Sequence, residues 1–252
     1  MNVETQSVTS FDGTKLAIHG TGDSGARPLL LLHGLFSSAQ MNWIKFGHAE
    51  KLADAGFRVI MPDLRAHGES ENPHDPTAYP TDVLVSDIET LIDHLALDDF
   101  DLGGFSLGAR TTAKLLSTGT RPRCAMLIGM GWEGLQGWGR RRDFFVDAID
   151  RREEVRRGDA HWMAVQFMKS MKIDPVAARL LLHSFGNLDV EAIAAVDVPT
   201  LVLCGADDHD NGSAPELARQ LTDATYAEIP GTHMSSVTEP TMAQEMIKFL
   251  QA

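Results

Sequence analysis

Residues 103–109 read GGFSLGA, a Gly-x-Ser-x-Gly pattern centred on Ser106. The apolar FDLGGFS that leads into it reads as a buried strand, and LGARTTAKLLST that follows reads as a helix. Ser106 therefore falls where a strand turns directly into a helix, a turn that crowds the positions two residues either side of it. Gly104 and Gly108 occupy those positions and have no Cβ to collide. A glycine-rich turn with a helix-capping serine would share the pentapeptide; the flanking strand and helix favour a tight elbow that exposes a hydroxyl at the carboxyl end of a sheet. The N–H of Leu107 then opens a helix whose dipole favours negative charge beside that hydroxyl.

Outward from the elbow the chain alternates. PLLLLHG (28–34), FRVIMPD (57–63), RCAMLIGM (123–130) and TLVLCGA (200–206) are continuous apolar runs, the mark of strands covered on both faces. ATYAEIPG (224–231) is a weaker run, and VETQSVTS and TKLAIHG form a hairpin around the turn FDGT. Helical patterns separate these runs. In TDVLVSDIETLIDHLAL (81–97) the residues Val83, Leu84, Asp87, Ile88, Leu91, Ile92 and Leu95 share one face, with Thr81 as the expected N-cap. Such alternation predicts an α/β fold, a mostly parallel eight-stranded sheet with helices on both faces.

From Gly131 to about Val196 no strand-like run occurs, and helical stretches fill the gap. That length suits a helical cap inserted after the sixth strand better than a loop or an independent domain. The expected organisation is a core of residues 1–130 and 197–252 with a cap, or lid, at 131–196, one structural unit overall. Within the cap, GRRRDFFVDAIDRREEVRRG (139–158) reads as a solvated helix face, with Asp147–Arg151 and Glu153–Arg157 as i, i+4 pairs, in preference to an anion-attracting patch.

The chain has 252 residues, 43% of them hydrophobic and 23% charged, as befits a soluble globular protein with a sizeable core. A formal net charge of −13 argues against nucleic acid or an anionic membrane surface as a partner and leaves a small molecule. Cys124 and Cys204 both lie inside apolar runs and are expected as buried thiols. The first residues lack the pattern of a signal peptide and no apolar stretch approaches ~20 residues, so a cytoplasmic location without membrane association is expected.

A serine hydroxyl needs a base, and the base needs an orienting carboxylate. Among ten histidines, His33 and His67 sit in turn sequences that suggest structural roles. His233, in IPGTHMSS after the last strand-like run, lies in a loop at the same sheet edge as Ser106. An acid near position 208, in LCGADDHDNG (203–212), completes the chain order Ser, Asp, His. A calcium loop beginning at Asp207 would put Gly212 at its sixth position but Ala218 where a bidentate glutamate belongs, so no metal is expected. No cofactor is expected either.

HGLFSS after the third strand, DLRAHGES after the fourth, GFSLG at the elbow, GADD after the seventh and GTHMSSVTEP before the last helix follow one another in order. By these motifs the chain resembles, over essentially its full length, the α/β-hydrolase-fold superfamily. The resemblance implies Asp208 as the acid, with Asp207 as the neighbouring alternative and Asp210 less favoured. It also implies the backbone N–H of Leu35 as the second donor of an oxyanion hole with Leu107, Phe36 being the adjacent candidate. Phe105 and Ala109 stand where many relatives carry histidine and glycine, and are expected as packing variation.

The cap is rich in Trp132, Trp138, Phe144, Phe145, Trp162, Phe167 and Phe185, with Met163, Met168 and Met171. This implies a largely apolar pocket, for which Phe36, Trp132 and Trp138 are the candidates. The expected activity is carboxylic ester or lactone hydrolysis through an acyl-enzyme on Ser106, with His233 as the proton shuttle. Carbon–carbon bond hydrolysis of a diketone and a low-turnover ligand receptor are the alternatives.

Overall fold

The structure is a computed structural model describing residues 2–252; Met1, where the expected core begins, lies outside the described residues. Among the described residues, eight strands form one sheet: β1 (Glu4–Thr9), β2 (Lys15–Thr21), β3 (Arg27–Leu32), β4 (Phe57–Pro62), β5 (Asp101–Phe105), β6 (Ala125–Ile128), β7 (Thr200–Gly205) and β8 (Ala224–Ile229). Their order is β1-β2-β4-β3-β5-β6-β7-β8. β2 runs antiparallel to both its neighbours, and the pairs from β4 through β8 are parallel.

The unbroken leucine run of β3 follows from coverage on both faces. Leu29 and Leu31 pack with Val59, Met61, Met126 and Leu203 on one side; Leu30 and Leu32 pack with Ile60 and Leu102 on the other. The first side is closed by α1 (His48–Asp54) and, from the far end of the chain, Met242, Met246 and Leu250. The second is closed by α2 (Val83–His94), through Val83, Leu84, Ile88 and Leu91. α3 (Leu107–Thr118) extends that second layer over β6 and β7 through Ala109 and Ala113.

Between β6 and β7 come α4 (Trp132–Gln136), α5 (Gly139–Asp150), α6 (Trp162–Ser170), α7 (Pro175–Ser184) and α8 (Val190–Ala194). Asp174 caps α7, accepting from the N–H groups of Val176 and Ala177, and Asp189 caps α8 in the same way. This segment is fastened to the β3 loop by a cluster of Phe36, Trp138, Ile149, Met168, Ala178 and Leu182. After β7 follow α9 (Ala214–Gln220) and, after β8, α10 (Thr241–Leu250).

Four local expectations are corrected. Thr81 does not cap α2; Asp82 stands before the helix in the left-handed region, φ 56°, its carboxylate taken by the Gly186 N–H at 2.8 Å and its N–H by the Ser184 carbonyl at 2.6 Å. Asp87 lies on the buried face of α2 but is no hydrophobe in disguise: it receives Arg65 Nε at 2.9 Å. α5 stops at Asp150, so Asp147–Arg151 forms at 3.0 Å while Glu153 lies beyond the helix, beside Arg152 at 3.5 Å. Cys204 is buried and Cys124 only half-buried, its thiol donating to Asp101 at 3.1 Å; both are free.

Candidate active site

The five loops that follow β3, β5, β6, β7 and β8 all leave the carboxyl edge of the parallel strands, and the site is assembled there. At the β5–α3 junction Ser106 has φ 54° and ψ −107°, a strained conformation for a residue with a Cβ. Its N–H bonds the Ile128 carbonyl at 2.8 Å and its carbonyl receives the Arg110 N–H at 2.9 Å, which hold the strain in place. The glycines behave as the elbow requires. A Cβ on Gly104 would stand 2.2 Å from the Gly108 carbonyl carbon, and one on Gly108 would stand 2.2 Å from the Leu32 oxygen.

Ser106, Asp208 and His233, far apart in sequence, meet. Ser106 Oγ lies 3.0 Å from His233 Nε2, and His233 Nδ1 lies 2.8 Å from Asp208 Oδ2. All three are buried, Ser106 at 8% exposure retaining a narrow opening. Burial alone would raise the Asp208 carboxyl, but the hydrogen bond and charge of His233 outweigh it. With help from the Asp210 N–H and the Cys204 thiol, they hold Asp208 below the ordinary carboxylate range. Asp207, the alternative acid, is exposed, as is Asp210. Asp208, Asp210 and His233 bring potential ligand atoms within 4.8 Å of one another, but the Asp208 and His233 atoms that meet do so in their own hydrogen bond.

Two backbone donors flank the hydroxyl. Leu107 is the first residue of α3, and the loop at Gly34–Leu35 passes so close that a Cβ on Gly34 would stand 3.5 Å from Ser106 Cβ. Of the two loop candidates, Leu35 and Phe36, the Phe36 N–H donates to His67 Nε2 at 2.9 Å. The Leu35 and Leu107 N–H groups have no acceptor among the described residues. His33, one turn of loop away, accepts the Leu64 N–H at 2.9 Å, and Asp63 accepts those of Ala39 and Glu69. Both histidines thus have the structural place expected of them.

A cleft opens over Ser106, lined by Leu35, Leu107, Met130, Trp138, Phe145 and Asn211, and also by Arg110 and Arg141. Of the three pocket candidates, Trp138 is in this lining. Trp132 does not line the cleft, because at the start of α4 it packs against the Met130, Leu135 and Leu217 cluster. Phe36 is buried behind the lining, edge-on to Phe145 with centroids 5.5 Å apart. Phe105 exceeds its expected role as packing variation, for its ring lies against the His233 imidazole at a centroid distance of 4.9 Å. Neither cleft arginine is among the expected pocket residues, although Arg141 belongs to the run 139–158 whose anion-attracting reading is the less favoured one. Arg110 could have been found from its place one helical turn after Ser106.

The family model described as "alpha/beta hydrolase fold" matches residues 27–151, which span the β3 loop, the elbow and the start of the helical segment. Beyond the matched residues, β7 (200–205) and β8 (224–229) continue the same parallel sheet. This chain is an α/β-hydrolase-fold protein. An enol-lactonase from Burkholderia xenovorans LB400 superposes on it with a TM-score of 0.77 and 22% identity, over 98% of this chain and 100% of the other. A Bacillus subtilis (strain 168) protein described as a putative 2-succinyl-6-hydroxy-2,4-cyclohexadiene-1-carboxylate synthase is 30% identical over 139 residues, 55% of this chain and 49% of its own length. Epoxide hydrolase A of Mycobacterium tuberculosis (strain ATCC 25618 / H37Rv) is 30% identical over 43% of this hydrolase-fold chain and 33% of its own length. The matches to these two curated relatives thus span half of their lengths or less. Among the described residues no helix is long and apolar enough to cross a membrane.

Proposed function

We propose that this protein is a serine hydrolase that cleaves carboxylic esters or lactones through an acyl-enzyme on Ser106. The observation that carries the reading is the unbroken hydrogen-bond chain Ser106–His233–Asp208, mounted on the strained elbow. His233 Nε2 takes the hydroxyl proton as Oγ attacks the carbonyl carbon, and Asp208 keeps the other ring proton on Nδ1 and stabilises the imidazolium. The tetrahedral oxyanion is received by the N–H groups of Leu107 and Leu35, free donors on either side of the hydroxyl. The imidazolium then protonates the leaving alcohol, and a water activated by His233 releases the acid and regenerates Ser106.

A serine at the elbow favours acyl chemistry over the epoxide opening named for some relatives, which an aspartate nucleophile would have suggested. The likeness in fold to an enol-lactonase is in keeping with an ester or lactone substrate. Residues 131–196 act as the cap: Trp138, Arg141 and Phe145 from this segment form one wall of the cleft over Ser106. The test is covalent labelling by a fluorophosphonate together with hydrolysis of a short-chain aryl ester. Labelling at Ser106 and loss of both in Ser106→Ala is the expected result; hydrolysis at the wild-type rate in that variant overturns the reading.

A further inference from the structure

Two guanidinium groups share the cleft with Ser106, and its lining holds no carboxylate among the described residues. Arg110 is 6% exposed. Its Nη1 donates to the carbonyls of Gly134 and Leu135 at 3.2 and 3.1 Å, and its Nη2 to that of Gly186 at 3.1 Å. Arg141, half-buried on α5, donates to the Asp210 carbonyl at 2.6 Å and lies 5.7 Å from the Phe145 ring centroid. Neither guanidinium has a carboxylate oxygen within 4.0 Å among the described residues.

That is an unusual way to bury cations, because carbonyl dipoles leave the net charge uncompensated. Elsewhere in the chain the solution is different: the buried Arg65 is met by both Asp12 and Asp87, each at 2.6 Å. Burial pulls Arg110 down to about 10, against a partial offset from Asp82, and lowers Arg141 too, against offsets from Asp210 and Asp208. The carbonyls occupy only some of the five N–H donors each guanidinium carries, leaving others for a ligand. Arg110 also has a structural task, tying α3 to α4 and to the chain beyond α7. Arg141 has a single carbonyl contact of this kind and the greater freedom to meet a ligand.

We propose that the cleft takes an ester or lactone bearing a carboxylate, which Arg141 binds with Arg110 as the fixed charge behind it, while Leu35, Met130, Trp138 and Phe145 cover its hydrocarbon part. The proposal rests on the serine-hydrolase reading of Ser106 and adds a carboxylate to the largely apolar ester expected from the sequence. It also revises the reading of residues 139–158 as a solvated face, since Arg141 points its charge to the cleft lining. A monoanion fits better than a phosphate dianion, because the negative charges of Asp208 and Asp210 already act on Arg141 and the chain carries a net charge of −13.

The experiment compares 4-nitrophenyl hemiglutarate with 4-nitrophenyl 5-methylhexanoate, in which a neutral isopropyl group of similar shape replaces the terminal carboxylate. Wild type is expected to favour the hemiglutarate in kcat/KM, and Arg141→Gln to cut that preference about tenfold or more, chiefly through KM. Arg140→Gln, at an exposed position outside the lining, leaves the preference unchanged. A wild-type preference at or below one, or a preference unmoved in Arg141→Gln, overturns the proposal. Fluorophosphonate labelling of the same samples separates the two readings. A labelled protein without the preference loses the anion subsite alone. An unlabelled protein loses the serine mechanism, and the subsite is then judged by calorimetry with glutarate: binding to wild type that is lost in Arg141→Gln supports it, and no binding to wild type overturns it.

Discussion

His67 Nε2 accepts the Phe36 N–H at 2.9 Å while its Nδ1 faces the Arg65 carbonyl at 2.9 Å. The ring therefore carries its proton on Nδ1 and offers a lone pair to the β3 loop, and the peptide next to Leu35 is fixed from below. His67→Ala leaves the buried Phe36 N–H unpaired, which costs about 1–3 kcal/mol. Thermal unfolding is expected to show the loss of stability, and ester kinetics a fall in kcat larger than any rise in KM. A stable variant with wild-type kcat would mean that the Leu35 donor does not depend on this bond.

The same histidine makes stability depend on pH. Burial holds His67 down to about 3 and lowers His33 and His48 as well. For each, the unfolded chain binds the proton first, so stability is full above the ordinary value of 6.5 and falls with acidification below it. His19 works the other way: its hydrogen bond to Asp63 raises it, so its contribution is present below 6.5 and fades as pH rises through the raised value. Three lowered groups outweigh one. Urea unfolding between pH 7.5 and 4.5 is expected to show declining stability, at up to about 1.4 kcal/mol per pH unit for each lowered histidine. His67→Gln should flatten the slope, and a stability that rises on acidification would contradict the assignment.

Asp208, and not its neighbour Asp207, makes the contact with His233. Asp208→Asn keeps the shape but removes the charge that balances the imidazolium, and can turn the ring to the wrong tautomer. A fall in kcat of about 10⁴ is expected by analogy with other Ser-His-Asp sites. Asp207→Asn, one residue away but exposed, should leave kcat within about twofold of wild type. Equal losses in the two variants, measured with one aryl ester, would show that the loop rather than the carboxylate matters.

Much of this was legible because the deciding signals are local. Gly104 and Gly108 declare the elbow through sterics confined to five residues, and the leucines of β3 declare a strand buried on both faces. His233 and Asp208 follow from chain order and strand ends. What escaped the sequence depends on tertiary contact. Asp82 stands before α2 instead of Thr81 as its cap because its carboxylate serves Gly186, more than a hundred residues away. Trp132 and Trp138 are equally aromatic and close in sequence, yet only the second reaches the cleft, because α4 turns the first onto α9. Arg141 sits in a run of arginines, and composition cannot tell the one that faces inward from its solvated neighbours.

Phe105 supplies the last test, since its ring is buried at 4% exposure and tilted by 31° against the His233 imidazole. It fills the space between Gly34 and Gly129, where a Cβ on either glycine would approach it at 3.2 and 2.7 Å. Phe105→Ala would empty that space and lower stability by about 3–5 kcal/mol, confounding any change in rate. Phe105→Leu is the better variant, because a smaller loss of volume keeps the fold while the flat surface beside the imidazole is lost. With the imidazole free to tilt, the 3.0 Å contact to Ser106 should be populated less often and kcat should fall. Kinetics on the folded variant decide the matter: wild-type kcat in Phe105→Leu would show that Asp208 alone orients the base.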